Sequence, residues 1–218
     1  MEAIDRIVYS NDWITGIVLL SLVLLVIARN RFYNRFIAFI ILPFNNKYVM
    51  LFNKKGRLVS EFHVLLSVVQ WLNLSLFLYL TASVWHWHSR AEGPLNFGLI
   101  LGGILIFSIV KLGMQLLAGY IFNQEKMTHI FLFNKGSYLN FSALILFLFN
   151  LLLAYIAPES KPIVFIGFSL VVFTNLIGWG ELLNSNLKYV TTQIFYFILY
   201  LCALEIAPLV IVPYVLNV

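Results

Sequence analysis

Two charged residues lie inside long apolar stretches of the sequence, Lys111 in one and Glu205 in another. A charge at the centre of a bilayer costs about 3 kcal/mol on insertion scales, so such a residue faces protein or water and usually has a partner. Gln115 follows Lys111 by one helical turn and would share its face. Pro208 follows Glu205 by three residues and leaves a backbone carbonyl free beside the carboxylate. These four residues predict an intramembrane polar site.

The Lys111–Glu205 pair has two interpretations. Each residue is 15 or 16 residues from the start of its apolar stretch, and the two stretches run in opposite directions. Both side chains are therefore predicted near the bilayer midplane, about 7 Å apart along the membrane normal at 1.5 Å per residue. They are either a structural ion pair that fixes which helices touch or a proton-coupled functional site. The sequence leaves both open, since a buried ion pair is weak evidence for stability.

The best metal-like cluster is formed by His86 and His88, which are followed by Glu92. A catalytic zinc site normally has three well-placed protein ligands, and the neighbouring tryptophans are expected at a membrane interface without any metal. We therefore expect no metal ion and no cofactor. Motifs typical of serine hydrolases, zinc proteases and phosphate-binding loops are absent from the sequence. No catalytic residue is assigned, and an enzymatic activity is not favoured.

The elements that position these residues follow from composition. Of 218 residues, 61% are hydrophobic and 11% are charged, whereas a soluble domain has roughly 25% charged residues. An apolar stretch of about 20 residues spans a bilayer as a helix, since the backbone there must satisfy its own hydrogen bonds. The fold class is therefore all-α, a polytopic transmembrane helical bundle in a single domain over residues 1–218. About six spans are predicted, at residues 13–28, 62–84, 95–122, 137–156, 162–183 and 190–215, with a shorter interfacial or re-entrant segment at 36–44.

Lysine and arginine are unevenly distributed between the predicted loops. The loop between the first two spans holds seven of them, including Arg29, Arg31 and Arg35, and that side of the membrane has ten against three. Cations accumulate in cytoplasmic loops, so both termini are predicted to lie outside the cytoplasm. The three arginines are also candidates for contact with lipid headgroups, with topology alone as the alternative explanation. The net charge of +5 is assigned to topology and not to nucleic-acid binding.

A short sequence occurs twice, at residues 51–54 and 132–135, and reads LFNK in both places. Each copy is followed within two residues by glycine and precedes an apolar stretch. The spacing aligns the first span with the third and the second with the fourth, which predicts repeated, parallel two-helix hairpins. Chance is the alternative, because Leu, Phe and Asn are common in this chain.

Smaller polar and glycine positions predict how the helices pack. Intramembrane amides are expected to join helices through hydrogen bonds worth about 1 kcal/mol or less each. Glycines four residues apart allow two helices to approach closely. The amides are Asn73, Asn150 and Asn175, and the glycines of the third span are Gly98, Gly102 and Gly103.

Two segments resemble parts of an uncharacterised membrane protein family. They are KLGMQLLAGYIF at 111–122 and LYLCALEIAPLVIV at 199–212, and the second is the more specific around Glu205 and Pro208. The family is a domain of unknown function found mainly in Bacteroidota, and the resemblance extends over nearly the whole chain. It implies a location in a Gram-negative inner membrane, and it implies no reaction.

Three functions remain open, in this order. The first is a non-enzymatic subunit or accessory factor of an envelope complex, because the loops are short and no catalytic motif is present. The second is a small transporter or channel that uses a midplane site of Lys111 and Glu205. The third is a lipid-handling membrane enzyme, which depends on the basic loop alone. The expected partners are the lipid bilayer and other membrane or envelope proteins or further copies of the chain, and nucleic acid is not expected.

Overall fold

The all-α fold predicted from the sequence is confirmed. A computed structural model describes residues 12–43, 48, 60–85, 93–121, 123, 125–158 and 160–185, and these residues form helices and connecting turns with no strand. The α-helices within these residues are α1 (Asp12–Arg31), α2 (Tyr33–Ile40), α3 (Glu61–Val84), α4 (Gly93–Ile121), α5 (Glu125–Leu151) and α6 (Lys161–Ser185). A π-helical turn, Leu152–Ile156, extends α5 toward Pro158.

Five helices in the described part are long and apolar enough to cross a membrane. They cover the predicted spans 13–28, 62–84, 95–122, 137–156 and most of 162–183, whereas the predicted span 190–215 lies outside the described residues. The five segments of membrane-spanning length are Asp12–Arg31, Glu61–Val84, Gly93–Ile121, Thr128–Ile156 and Lys161–Glu181.

α5 begins well before the predicted fourth span. That span was expected to start at residue 137, but the helix starts at Glu125. The polar residues that suggested a loop are buried between helices: the Asn134 amide donates to the carbonyl of Gly178 at 3.3 Å, and the Ser137 hydroxyl donates to the carbonyl of Phe133 at 2.7 Å. The second LFNK copy therefore lies inside a helix. The first copy lies outside the described residues, so the repeat stays a prediction.

Aromatic contacts at both ends of α1 fix its direction relative to α3. Trp13, at the start of α1, packs against Tyr79, near the end of α3, with 5.0 Å between ring centroids. Phe32, just after α1, packs against Phe62, at the start of α3, with 5.7 Å between centroids. The two helices are therefore antiparallel. We call the level of Trp13 and Tyr79 the tryptophan end of the bundle, and the level of Phe32, Phe62 and Arg31 the arginine end.

α3 and α5 run parallel to each other. The Asn140 amide of α5 contacts the carbonyl of His63 at 3.5 Å, and ten residues further along both helices the Asn150 amide donates to the carbonyl of Asn73 at 2.9 Å. α4 connects these two helices in the opposite direction, and α6 follows α5 in the opposite direction. The described helices therefore alternate across the bundle.

α5 lies at the centre of the bundle. It packs against α3 on one side and α6 on the other, and α4 contacts both α3 and α5. One apolar cluster fills the half toward the tryptophan end and includes Val18, Leu76, Leu80, Leu146 and Leu153. A second, rich in aromatic side chains, fills the arginine end and includes Phe39, Tyr48, Phe62, Phe133 and Tyr138.

The short helix α2 crosses the arginine end of the bundle. Phe32 and Phe39 are seven residues apart, yet both pack edge-on against the ring of Phe62, at 5.7 and 5.9 Å. A helix that continued along the axis of α1 would carry Phe39 about 10 Å beyond that level at 1.5 Å per residue. α2 therefore runs across the helix ends while Ile37 and Ile40 remain exposed. An apolar outer face at a helix end is typical of an interfacial helix.

Candidate functional site

Lys111 and Gln115 lie on the side of α4 that faces the bundle. Gln115 is 3% exposed, and one turn further a Cβ on Gly119 would lie 2.5 Å from the Thr128 hydroxyl of α5. The ammonium of Lys111 lies 5.7 Å from the ring centroid of Phe107, one turn earlier on the same helix, within the range of a cation–π contact. The structure therefore places Lys111 next to a buried amide and a close helix contact.

Contacts along α4 show how far Lys111 lies from each end of the bundle. Trp13 contacts α4 at two positions, Gly93 and Phe97, so these residues mark the tryptophan end. Lys111 lies 14 to 18 residues further along, and α1 runs parallel to α4, so its level matches residues 27–31 of α1. The contact of Gly119 with α5 leads to the same level by a separate route. Lys111 is thus nearer to the arginine end of α1 than to the middle of that helix.

The other members of the predicted polar and metal sites lie outside the described residues. Glu205 and Pro208 belong to the predicted span 190–215, and His86, His88 and Glu92 lie between α3 and α4. A pairing of Lys111 with Glu205 therefore stays a prediction. Among the residues that the structure does describe, no group of three or more His, Cys, Asp or Glu side chains is arranged to hold a metal ion.

The three candidate arginines are separated into two groups. Arg31 and Arg35 both approach the ring of Phe32, each with its guanidinium carbon 5.9 Å from the ring centroid. Arg31 also forms an exposed ion pair with Glu61, with 3.1 Å between nitrogen and oxygen. Arg29 lies two residues before Arg31 on the last turn of α1, and side chains two apart on a helix point to different sides. Only Arg31 and Arg35 therefore form a common site.

A pair of asparagines joins the middle of α3 to α5. The Asn150 amide nitrogen lies 2.9 Å from the backbone carbonyl of Asn73 and 3.3 Å from its side-chain oxygen. The Asn73 amide in turn donates to the carbonyl of Val69 at 2.9 Å. Both side chains are fully buried, at 0% and 1% exposure. These direct bonds agree with the role predicted for the two amides, which is to hold helices together.

A second polar contact joins α5 to α6. The Asn175 amide donates to the Ser142 hydroxyl at 2.9 Å, and Ser142 lies 3.3 Å from the hydroxyl of Thr174. A third contact lies at the start of α3, where the Ser67 hydroxyl is 2.9 Å from the carbonyl of His63 and 3.3 Å from the Asn140 side-chain oxygen. Ser142 and Asn140 were not singled out from the sequence. Their helical spacing from Asn134 and Asn150 could have marked both buried sides of α5.

His63 occupies a tight position between α3 and α5 that the sequence did not reveal. Its ring stacks on Phe133, with 5.4 Å between centroids and 20° between planes. A Cβ on Gly136 would lie 2.7 Å from its Nε2 atom, so only glycine fits there without movement of the histidine. Within the described residues, the buried Nδ1 atom has no hydrogen-bond partner. The side chain acts as a packing element between the two helices.

The side of α4 that faces away from the bundle carries glycines among exposed apolar residues. A Cβ added to Gly98, Gly102 or Gly113 would meet no described atom of a neighbouring helix within 4 Å. At 3.6 residues per turn Gly102 and Gly113 lie nearly opposite Phe97 and Gln115, whereas Gly98 lies about 100° from them. Gly103 also meets no described atom within 4 Å, and it lies about 80° around the helix from Gly113. The adjacent leucines and isoleucine are 67–80% exposed. We call this surface the outward face of α4, and it consists of Leu95, Gly98, Leu99, Gly102, Ile106 and Gly113.

The fold and these contacts define the class of the protein. Five apolar helices of membrane-spanning length, held together by internal amide hydrogen bonds, form a multi-pass helical membrane protein. Residues 14–216 match the family described as a domain of unknown function, DUF4271, and the chain belongs to that family. No curated protein and no solved structure matches this chain.

Proposed function

We propose that the protein is a non-enzymatic subunit or accessory factor of an envelope complex in the inner membrane. In this proposal, the outward face of α4 binds a membrane-spanning helix of a partner protein. The observation that carries it is that Gly98, Gly102 and Gly113, three of the four glycines of α4 with no described neighbour within 4 Å, lie in one sector of the helix away from Phe97 and Gln115. In contrast, the described glycines that do have close neighbours, such as Gly119, Gly136 and Gly178, face helices of the chain itself.

Glycine on a lipid-facing surface has a cost without a benefit. In a helix interior, glycine is about 1 kcal/mol less favourable than alanine, and lipid chains gain little from direct access to the backbone. A neighbouring helix does gain, because glycines four residues apart, as at Gly98 and Gly102, let two backbones approach closely. The exposed Leu95, Leu99 and Ile106 beside them would then pack around the partner helix. The pattern therefore favours a helix partner over lipid alone.

The charge distribution supports the proposed orientation. Arg29, Arg31 and Arg35 lie at or beyond the arginine end of α1, and Lys111 lies at the same level on α4. Lys161 begins α6 at the opposite end. Cations concentrate on the cytoplasmic side of membrane proteins. We therefore assign the arginine end to the cytoplasmic side, which puts the start of α1 outside the cytoplasm and, with a sixth span, the C-terminus outside as well.

The experiment is purification of the full-length chain from its native membrane in a mild detergent, followed by measurement of particle mass and composition. We expect a particle that contains a second membrane protein. The double variant Gly98→Ile and Gly102→Ile should release that protein, because added side chains hold the helices apart. Gly16→Ile is the matched control, since Gly16 of α1 is also an open glycine of a helix. Recovery of the chain alone, or an identical partner yield from both variants, would contradict the proposal.

Transport is the second candidate, and it is favoured by the position of Lys111 beside the buried Gln115 on the bundle side of α4. That face is opposite the outward face, so a site there is compatible with a bound partner. A helix that crosses the membrane from Val190 would carry Glu205 about 22 Å from its start at 1.5 Å per residue. Because Lys111 lies near the arginine end, where α6 ends at Ser185, this count places Glu205 toward the tryptophan end from Lys111, and a paired site requires both side chains to extend along the membrane normal.

The transport candidate is tested by flux into proteoliposomes and by exchange of the two charges. Neutralisation by Glu205→Gln should abolish proton-coupled flux if the pair is functional. The exchanged protein, Lys111→Glu with Glu205→Lys, should fold as well as the native chain but should not transport. Unchanged flux after neutralisation, or full activity of the exchanged protein, would count against a transport site and would leave the pair with a structural role.

A further inference from the structure

One aromatic ring organises two arginines at the arginine end. Phe32 lies between α1 and α2, and the guanidinium carbons of Arg31 and Arg35 are each 5.9 Å from its ring centroid. Phe32 itself packs edge-on against the buried Phe62 of α3. A ring fixed in this way restricts both guanidinium groups to one region of the surface. The two guanidinium carbons are therefore at most about 12 Å apart, and both long side chains start beside the same ring.

This arginine pair lies where lipid headgroups are expected. α1 ends at Arg31 after a run of exposed apolar residues that includes Val26 and Ile27. α2 then crosses the helix ends and exposes Tyr33 and Ile37. Long basic side chains at the end of an apolar helix reach the interface with their charged groups. We therefore expect the guanidinium groups at the depth of the lipid phosphates and the acyl chains beside α1.

We infer that Arg31 and Arg35 bind the phosphodiester of an anionic phospholipid. Guanidinium groups are planar forks of N–H donors that match phosphate oxygens in paired hydrogen bonds. Both guanidinium groups contact the Phe32 ring. The start of α2, where Phe32 provides no side-chain cap, adds a small positive contribution from the helix dipole. The site concerns lipid, and it is independent of the protein partner proposed for the outward face of α4.

Glu61 competes with the phosphate for one of the two arginines. Its carboxylate is 3.1 Å from Arg31, but the two side chains are 72% and 67% exposed. Ion pairs with that exposure contribute little, because water and salt screen them. A phosphate group can therefore replace the carboxylate on Arg31 while Arg35 supplies the second contact. Removal of the Glu61 charge should strengthen lipid binding, which a purely structural ion pair would not do.

The test uses the full-length chain in an uncharged detergent and native mass spectrometry to count bound lipid. Phosphatidylglycerol and phosphatidylcholine with the same acyl chains are the two probes. Wild type should bind the first phosphatidylglycerol about fivefold more tightly than phosphatidylcholine, and Arg35→Gln should remove that preference. Glu61→Gln should increase it. Arg29→Gln is the matched control, because it removes an equal charge from the same end of the bundle but from a different side of α1, and it should leave the preference unchanged.

Three results would overturn the inference. Equal binding of the two lipids by wild type would show that the arginine pair does not recognise an anionic headgroup. An equal loss from Arg29→Gln and Arg35→Gln would show diffuse attraction with no defined site. Displacement of phosphatidylglycerol when inorganic phosphate replaces chloride at equal ionic strength would identify a site for free anions. Each variant is first compared with wild type by thermal unfolding, and since all three side chains are exposed or half-buried we expect equal stability.

Discussion

α4 and α5 are adjacent helices of similar length that use small and polar residues in opposite ways. α5 turns its amides and hydroxyls toward two neighbours, and six of the eleven buried polar residues in the described part lie on it. α4 buries only Gly93, Phe97, Gln115 and Gly119 and leaves most of its surface exposed. Most glycines of α4 have no described atom of a neighbouring helix within 4 Å, whereas a Cβ on Gly136 of α5 would touch His63.

The difference shows which helix makes most polar contacts within the described bundle, and it is the reason for proposing a partner on α4. Amides on α5 donate directly to α3 and α6, and a hydroxyl on α5 accepts from an amide of α6, so these residues fix the order and register of three helices. In a bilayer the hydrophobic effect does not select between helix and lipid, so close packing and hydrogen bonds make that selection. The amides and hydroxyls of α5 select α3 and α6, which are helices of the same chain. The outward face of α4 carries the features of a packing surface without a described neighbour.

The largest expected effect on the free energy of unfolding is the difference between two glycine-to-alanine substitutions, one at a packed glycine and one at a glycine without a described neighbour. A Cβ at Gly178 of α6 would lie 2.5 Å from the ring of Tyr138 on α5. Gly178→Ala should therefore lower the free energy of unfolding by about 1–3 kcal/mol through overpacking. Gly102→Ala should leave it unchanged or raise it by up to about 1 kcal/mol, because alanine favours the helix. Reversible unfolding in mixed micelles measures both.

Gly180→Ala is the control for the packed glycine. Gly180 is on the same helix as Gly178, and a Cβ there would meet no described atom within 4 Å. Equal effects of Gly178→Ala and Gly180→Ala would contradict close packing of α6 on Tyr138. A large loss of stability in Gly102→Ala would show that the outward face of α4 is already filled within the chain.

A smaller effect is expected from the asparagine pair. Asn150→Leu removes the amide that bonds to α3 at two acceptors, and intramembrane hydrogen bonds average about 0.6 kcal/mol with a maximum of about 1.7. We expect a loss near 1 kcal/mol in the same unfolding measurement. Asn73→Leu should cost less, because the backbone carbonyl of residue 73 still accepts the shorter bond. The reverse order of the two losses would contradict the assigned bonding.

The sequence predicted the features that depend on local composition, which are the helices and their intramembrane amides. It missed the start of α5, which depends on the helices that pack against it. Apolar stretches and their flanking charges were sufficient for the helices, and isolated amides within those stretches predicted the bonds of Asn73, Asn150 and Asn175. The start of α5 was missed because Asn134 to Gly136 resemble a turn when taken alone. In the bundle, Asn134 bonds to Gly178 and Gly136 makes room for His63, so both residues are compatible with a continuous helix.

The midplane position of Lys111 stays a prediction, but its level relative to the other helices could not be obtained by counting residues within its own stretch. Such a count assumes that every apolar stretch fills the membrane in the same way. α4 has 29 residues and α1 has 20, so the midpoints of the two helices do not coincide. Only contacts between helices, such as those of Trp13 with Gly93 and Phe97, give a common scale. On that scale Lys111 is level with the arginines at the end of α1.

The smallest of the three expected effects tests this depth. At the level of Arg31, the Lys111 stem can carry its ammonium to the interface, and its contact with Phe107 is worth about 0.5–1 kcal/mol. Lys111→Met should therefore cost less than about 1 kcal/mol in unfolding experiments. A midplane lysine in a dry ion pair would behave differently, because its removal strands a buried charge at a cost of about 3–5 kcal/mol. A loss of that size would indicate that Lys111 lies in the middle of the membrane with a buried acidic partner such as Glu205. A small loss that is rescued by Lys111→Arg would instead place Lys111 among the cations of the arginine end.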